Sequence, residues 1–135
     1  MLRLSKKTEY ALMAVKYMAV NQNGKCITVK EIADTYGISF QLLAKLMQQL
    51  VRNGIIESQQ GTKGGYRLNK SADNILLVDV VGAIEENYNL TDCIESEIPE
   101  NGCARANCCT IRDPLAKVQN KINRIFSETT IGQIL

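Results

Sequence analysis

The stretch "ITVKEIADTYGISFQLLAKLMQQLVRNGII", residues 27–56, decides the fold that we predict for this chain. "TVKE" is typical of a capping box, in which the Thr28 side chain accepts from the Glu31 amide and Glu31 reaches back. Gly37 ends that short helix in a tight turn, because glycine adopts backbone angles that a side chain opposes. Ser39 then caps a longer helix, which stops at the next asparagine–glycine pair. A short helix, a glycine turn and a capped longer helix predict a helix-turn-helix.

Apolar residues recur at helical spacing through this region and before it. Ala33 is small where the two helices must cross closely. An earlier helix begins after Ser5 or Thr8, either of which could be its cap. Across the three predicted helices, the apolar stripes comprise Ala11, Ala14, Val15, Met18 and Ala19, then Val29, Ile32 and Ala33, then Leu42, Leu43, Leu46, Met47 and Leu50.

A β-hairpin is predicted directly after the longer helix. "IIESQQ" (55–60) and "GYRL" (65–68) are strand-like runs, and "GTKGG" (61–65) can join them with an exposed tip. This hairpin would be the wing of a winged helix. The expected fold class is therefore mainly α with a small β-hairpin wing, a winged helix-turn-helix plus a long dimerisation helix.

The chain is predicted to divide into two parts that form one compact unit. Residues 1–70 would be the winged helix-turn-helix DNA-binding domain. Residues 71–135 would hold a fourth helix in "LLVDVVGAIEE" (76–86), a cysteine-rich loop (93–109), a helix over 113–127 and a short tail element in "TTIGQIL". Asp113 and Pro114 suit a helix start, since proline tolerates the first turn.

The long helix carries a heptad pattern. Its apolar residues are spaced three, four and three apart, and its other positions, Gln119 among them, are polar. Packing within the chain is one interpretation of this seam. The other interpretation is a homodimer formed through this seam, and we predict it because the rest of the helix is polar. The seam consists of Leu115, Val118, Ile122 and Ile125.

Composition narrows the function. The 135-residue chain has a net charge of +2, but residues 1–70 carry 11 basic and 4 acidic side chains, whereas residues 71–135 carry 5 and 10. A basic N-terminal half favours a polyanionic partner, although a solvated charged surface is the alternative. The chain has no histidine, which removes histidine-based catalysis and makes an enzyme the least favoured class. Without a membrane-length apolar run or a signal-peptide pattern, we expect a cytoplasmic protein.

If the chain binds DNA, the longer helix would enter the major groove of a double-stranded, roughly palindromic operator. Gln41 suits a bidentate contact with adenine. Lys63, with Gln59 and Gln60, would reach the minor groove or the backbone. The residues that could meet base edges or phosphates from the helix are Ser39, Phe40, Gln41 and Lys45. The candidates for phosphate contacts alone are Lys6, Lys7, Arg52 and Arg67.

Four of the five cysteines lie between residues 93 and 109. In a reducing compartment such a cluster favours metal ligation or redox sensing over structural disulfides. Thiolates are the usual ligands of iron–sulfur clusters, and a loop can wrap a cluster. Thiol oxidation and a zinc site are the alternatives. Cys26 lies far from the others in sequence, and we expect a buried apolar role for it.

The sequence resembles the IscR/NsrR-type family of winged-helix iron–sulfur transcription regulators. The resemblance rests on "LSKKTEYAL" (4–12), "IADTYGIS" (32–39), "LMQQLVRNGIIES" (46–58), "GTKGGYRL" (61–68), the cysteine-rich loop and "TTIGQIL" (129–135). It implies a dimeric DNA-binding regulator, a repressor in our prediction. A [2Fe–2S] or [4Fe–4S] cluster would control its operator affinity and sense cluster supply, nitric oxide or redox state.

The resemblance also implies a set of cluster ligands. Cys93 follows the fourth helix, and the five residues between Cys103 and Cys109 match the family's spacing. Nine residues separate Cys93 from Cys103, which is longer than usual and is interpreted as a loop insertion. Cys108 is an extra thiol, either a bystander or an alternative ligand.

The fourth ligand differs between members of the family. Some use a histidine three residues after the last cysteine, where this chain has Arg112, which cannot ligate. Others use an acidic residue near the N-terminus of the second subunit, a position that Glu9 occupies. The predicted set is Cys93, Cys103, Cys109 and Glu9 of the partner subunit. Alternatively, Glu9 is simply an exposed or ion-paired helix residue.

Overall fold

A computed structural model describes residues 3–21, 23–91, 93, 104–105 and 108–135. Within these residues it contains five α-helices, one two-stranded antiparallel sheet and two short 3₁₀ helices. In chain order the elements are α1 (Lys6–Asn21), α2 (Val29–Tyr36), α3 (Phe40–Arg52), β1 (Ile56–Gln59), β2 (Gly65–Leu68), a 3₁₀ helix (Ala72–Asn74), α4 (Leu77–Ile84), α5 (Arg112–Glu128) and a 3₁₀ helix (Ile131–Ile134). The predicted fold class, a mainly helical winged helix-turn-helix, is confirmed.

The start of α1 is capped by Ser5. Its hydroxyl accepts from the Thr8 amide at 3.3 Å. Thr8, the other candidate cap, is instead a fully buried polar residue of the helix. The predicted apolar stripe of α1 is buried except for its last member, Ala19, which is half-buried.

The helix-turn-helix forms as predicted, with one difference at its start. The Thr28 side chain accepts from the Glu31 amide at 3.1 Å. The expected return contact of the capping box is absent, because the Glu31 carboxylate accepts from the Tyr17 hydroxyl at 2.8 Å. Gly37 ends α2 in the left-handed region, with φ 66° and ψ 31°, where a side chain would be strained.

The wing is anchored to the helical body through residue 27. In the sheet, Ile56 lies opposite Leu68 and Ser58 lies opposite Tyr66. The backbone N–H of Ile27 donates to the carbonyl of Tyr66 and receives the reciprocal bond, both at 2.8 Å. A Cβ on Gly65 would stand 2.8 Å from the Ile27 carbonyl oxygen, so this close approach requires glycine.

One hydrophobic core joins the helices and the base of the wing. It draws on α1, α2, α3 and α4 as well as on both segments that flank the wing. Its buried members are Ala11, Ala14, Val15, Met18, Ile27, Val29, Ile32, Ala33, Ile38, Leu43, Met47, Leu50, Ile55, Ile56, Ile75, Val80 and Ile131.

The C-terminal tail is fastened beside the start of α4. The Leu77 amide donates to the Thr129 carbonyl, and the Ile131 amide donates to the Ile75 carbonyl, both at 2.8 Å. Ile131 is 1% exposed. Helix α5 extends one residue beyond the predicted 113–127 at each end. In the part of the chain that the structure describes, no helix is long and apolar enough to cross a membrane.

Candidate nucleic-acid interface and cysteine segment

Helix α3 divides cleanly into two faces. Leu43, Leu46, Met47 and Leu50 are buried, whereas Leu42, predicted in the same stripe, is half-buried. The opposite side is polar and exposed, with residues spaced four, three and four apart. These residues are Gln41, Lys45, Gln48 and Arg52.

Gln48 was not among the predicted contact residues. Its place seven residues after Gln41 is the signal that could have found it, because residues seven apart share one face of a helix. Gln41 and Lys45 lie where the sequence predicted, on the outward side of α3.

Two exposed residues mark the N-terminus of α3, the capping residue Ser39 and the aromatic residue Phe40. The Ser39 hydroxyl accepts from the Leu42 amide at 3.4 Å, so it caps the helix while lying on the surface. Phe40 is 56% exposed. An aromatic ring left in water at the tip of this helix is available for an apolar contact with a partner.

The tip of the wing is exposed and basic. Gln60 and Lys63 both lie on the surface there. The turn is closed by the Gly64 amide, which donates to the Gly61 carbonyl at 3.0 Å. The strand that leads to this tip, β1, packs against α3.

Cys26 lies at the base of the wing and is not buried. Its thiol is half-buried and donates to the Gln59 side-chain oxygen at 3.1 Å. The expectation of a buried apolar role is wrong, because Cys26 lies beside Gln59 and Gly65 of the wing and keeps part of its surface exposed.

Two of the four predicted phosphate contacts are already ion-paired. Arg67 pairs with Glu57, the residue opposite it in the sheet. Lys6 contacts Glu9 at 2.7 Å, and this hydrogen bond with the carboxylate raises the pKa of Lys6. Lys7 and Arg52 are exposed without an ion pair among the residues that the structure describes.

The structure describes three of the four clustered cysteines. Cys93 is half-buried, with its thiol 3.3 Å from the Thr91 hydroxyl, while Cys108 and Cys109 are exposed immediately before α5. Cys103 lies outside the described residues. Among those that are described, no three histidine, cysteine or acidic side chains are close enough to hold a metal ion. The ligand set therefore stays a prediction.

Glu9, the predicted ligand for a second subunit, is exposed on α1. Its carboxylate pairs with Lys6 on the same helix. Exposure leaves the carboxylate open to a partner, and the ion pair matches the alternative interpretation made from the sequence.

Glu85 connects the end of α4 with the start of α1, and apart from its charge nothing in the sequence pattern indicates this role. Its carboxylate accepts from the Ser5 backbone amide at 2.8 Å and from the Thr8 hydroxyl at 2.6 Å. Hydrogen bonds from the side chains of Ser5 and Thr8, in that order, and more weakly from the Ser5 amide, lower the pKa of Glu85. The Glu85 carboxylate thus links the start of α1 with the end of α4, the helix that precedes the cysteine segment, in addition to the packing of these helices in the core.

Helix α5 leaves much of its apolar side on the surface. Val118 is 45% exposed and Ile125 is 60% exposed, while Leu115 and Ile122 are half-buried. The preceding residue, Ile111, is 58% exposed.

Gln119 is the buried residue of α5, contrary to the expectation that it lies on the polar side. It is 1% exposed. Its side-chain oxygen accepts from the Leu90 amide at 2.8 Å, and its nitrogen donates to the Asn123 side chain at 2.9 Å. Gln119 therefore holds the segment that leads to Cys93 against α5.

A capped recognition helix with a polar outward face, followed by a wing with a basic tip, defines a winged-helix DNA-binding protein. Residues 4–135 match the model of the Rrf2 family, described as an iron-dependent transcriptional regulator. The chain belongs to the Rrf2 family and is a DNA-binding transcriptional regulator. The predicted IscR/NsrR-type resemblance is confirmed.

Individual relatives agree with this assignment. Over 134 residues the chain is 34% identical to Protein aau3 of Rhizobium meliloti, covering 99% of this chain and 85% of that protein. It is 28% identical to the HTH-type transcriptional regulator NsrR of Bacillus licheniformis, covering 99% and 92%. The structure of CymR, the global cysteine regulator of Bacillus subtilis, superposes with a TM-score of 0.76 at 24% identity, covering 99% and 96%. Transcriptional regulators such as NsrR are not enzymes.

Proposed function

We propose that this protein acts in the cytoplasm as a homodimeric repressor whose affinity for a palindromic operator is controlled by an iron–sulfur cluster. The observation that carries the proposal is the position of the thiols. Four cysteines lie in the 17 residues from 93 to 109, between α4 and α5. The described members of this group form no disulfide with one another and are at least partly accessible.

The donor set fits an iron–sulfur cluster chemically. Cys93, Cys103 and Cys109 would supply three thiolates, the usual ligands of iron. Glu9 of the partner subunit would supply a carboxylate, which is a weaker and more exchangeable ligand. When bound, the cluster would supply iron centres that respond to electrons or to small molecules such as nitric oxide.

The chain itself links the cysteine segment to the DNA-binding half. Gln119 holds the segment before Cys93 against α5, and Glu85 ties the end of α4 to the first turn of α1. A change in the order of the cysteine segment can therefore bias both helices. Such a bias becomes a switch only when the two states differ in operator affinity.

Iron and acid-labile sulfide, measured with the visible spectrum of anaerobically purified protein, test the cluster. Equal amounts of iron and sulfide with charge-transfer absorption are expected, and the ratio per chain separates [2Fe–2S] from [4Fe–4S]. Cys109→Ala should lose the iron while its matched neighbour Cys108→Ala keeps it. A colourless wild-type protein that also resists anaerobic reconstitution would refute the proposal, and full iron in Cys109→Ala would move the ligand assignment to Cys108.

The fourth ligand has a separate test. Glu9→Gln removes the charge and weakens metal ligation while keeping the shape of the side chain, so the cluster should become more labile to air. Lys6→Gln is the control, because it breaks the same ion pair and leaves the carboxylate. Equal lability in the two variants would show that Glu9 is only an ion-paired helix residue.

Regulation by thiol oxidation, without iron, is the second candidate. It is favoured by the exposure of Cys108 and Cys109, which leaves both thiols accessible to an oxidant. Peroxide should then weaken the operator affinity of iron-free wild-type protein reversibly, and Cys108→Ser with Cys109→Ser should abolish the response. A zinc site predicts stoichiometric zinc in the colourless protein.

A further inference from the structure

A cross-strand pair in the wing faces helix α3. Ser58 of β1 lies opposite Tyr66 of β2, and residues directly opposite in an antiparallel sheet project from the same face. Their neighbours Glu57 and Arg67 project from the other face, where they form an ion pair. The two faces of the hairpin therefore differ. On the face that points away from α3, the polar side chains of Glu57 and Arg67 pair with each other, whereas Ser58 and Tyr66 on the other face do not.

Two residues of α3 complete a cleft with this pair. Gln48 and Arg52 are four residues apart and so lie on one side of the helix, one turn from each other. Together with Ser58, Tyr66 and Val51 they line an open cleft of about 400 Å³. The cleft lies between the recognition helix and the wing, the two elements of the fold that carry the predicted DNA contacts.

The polar groups in this cleft are unused. Among the residues that the structure describes, the side chains of Gln48, Arg52, Ser58 and Tyr66 have no hydrogen-bond or ion-pair partner. They offer an amide, a guanidinium and two hydroxyls, and no acidic side chain lines the cleft. A cationic group with several converging donors matches a single tetrahedral anion.

Tyr66 is held in place from both sides. Its backbone bonds to Ile27 on one side, and β2 pairs with β1 on the other. Its ring is half-buried, so the hydroxyl is presented by a rigid element rather than by a mobile tip. Binding a phosphate here would require little ordering of the side chain, which favours affinity.

We propose that this cleft binds one phosphodiester group of the operator backbone through Arg52, Ser58, Tyr66 and Gln48. The inference deepens the DNA-binding function stated above and rests on it. The contact fixes the spacing between α3 in the major groove and the wing beside it, and it carries no base specificity of its own. Arg52, one of the four residues that the sequence indicated as candidates for phosphate contacts alone, would act here together with the three other polar side chains of the cleft.

Single-phosphate substitution tests the proposal. The probe is a duplex selected by the wild-type protein from a random pool, together with copies that each carry one neutral methylphosphonate. Tyr66→Phe and Ser58→Ala should each weaken binding to the native duplex about three- to tenfold. Both should also lose the sensitivity of the wild type to methylphosphonate at one shared phosphate per half-site, as a double-mutant cycle measures.

Matched controls separate the cleft from general effects. Tyr36→Phe makes the same chemical change on α2, outside the cleft, and should leave the whole methylphosphonate profile unchanged. Arg52→Gln should reduce the slope of log affinity against log salt by about one. Identical profiles for wild type and Tyr66→Phe would overturn the proposed phosphodiester contact in the cleft, whereas a wild-type protein that binds no duplex would overturn the DNA-binding function itself.

A free anion such as inorganic phosphate has the same chemistry as a DNA phosphate and is the other ligand that the cleft could hold. Inorganic phosphate, added at constant ionic strength, should compete with the duplex no better than chloride does, because an open cleft holds a lone phosphate weakly. If phosphate binds the wild-type protein but not Tyr66→Phe, while the two proteins give the same methylphosphonate profile on the duplex, the cleft is a free-anion site and the proposal is wrong.

Discussion

Helices α3 and α5 show two ways of using the same kind of apolar stripe. In α3, 13 residues long, four apolar side chains are buried and the Ser39 hydroxyl caps the first turn. In α5, 17 residues long, the one buried residue is the polar Gln119, and no side chain caps the first turn. Helix α3 is thus held by its own chain, whereas the stripe on α5 remains largely uncovered in the described part of a single copy.

The difference indicates where each helix obtains its stability. An exposed row of branched apolar residues on an otherwise polar helix marks an interaction surface. The heptad spacing of Leu115, Val118, Ile122 and Ile125 suits a second copy of the same helix. We therefore expect the recognition helix to be formed by one chain and the position of α5 to depend on two.

The largest effect should come from charging the uncovered stripe. Val118→Glu combined with Ile125→Glu should convert a dimer into a 15.0 kDa monomer, as sedimentation equilibrium would measure, with the helical content largely kept. Operator affinity should then fall by at least about a hundredfold, because two linked half-sites become independent. Asn120→Glu combined with Ser127→Glu adds the same charge at exposed positions of α5 and should leave the dimer intact. A monomeric wild-type protein would contradict the expectation that the position of α5 depends on two chains.

A cavity in the buried stripe should cost stability rather than assembly. Leu43 is fully buried, so Leu43→Ala should lower the free energy of unfolding by about 3 kcal/mol. Chemical denaturation measures this, at fixed protein concentration because a dimer unfolds in a concentration-dependent way. A loss below about 1 kcal/mol would mean that α3 is not the well-packed helix that its burial indicates.

Changes on the outward side of α3 should alter specificity with little effect on stability. Gln41→Ala should relax base preference at one position per half-site by about 1–3 kcal/mol. Lys63→Ala should instead weaken binding to all duplexes alike. Repeating the selection from a random pool with each variant measures both. An unchanged preference in Gln41→Ala would move the recognition surface elsewhere.

The smallest effect concerns the link between the two regions and depends on pH. Because the folded pKa of Glu85 is lowered, its stabilising contribution is present above the unfolded pKa of about 4.5 and is lost as pH falls through the folded pKa. Glu85→Gln keeps an acceptor but loses the charge, so it should be about 1 kcal/mol less stable at neutral pH. This gap should close as pH is lowered, first through the unfolded pKa and then through the folded pKa. A gap that does not change with pH would assign the effect to shape alone.

Much of the fold follows from local patterns. The glycine turn at Gly37, the caps at Thr28 and Ser39 and the two strand-like runs predicted the helix-turn-helix and its wing, and each rests on residues close together in the chain. The outward positions Gln41 and Lys45 followed from the period of α3. Gln48 was missed only because the same period was not continued for another turn.

Other residues were misjudged because their partners lie far away in sequence. Glu31 was expected to return to its own helix, but the Tyr17 hydroxyl competes for it. Gln119 was placed on the polar side, although the Leu90 amide satisfies it in a buried position. Cys26 was expected in the core, yet it faces Gln59 of the wing.

The sequence by itself determined the order of the elements, the polar face of α3, the charge difference between the two halves and the grouping of the thiols. Short-range periodicity and capping chemistry suffice for these features. Tertiary structure alone decided that Ser58 and Tyr66 line one cleft with Gln48 and Arg52, that Glu85 joins α4 to α1, and that the described residues leave the stripe on α5 largely uncovered. The physical reason is that burial and hydrogen bonding between distant residues depend on how the elements pack, and strand register or helix period does not specify that packing.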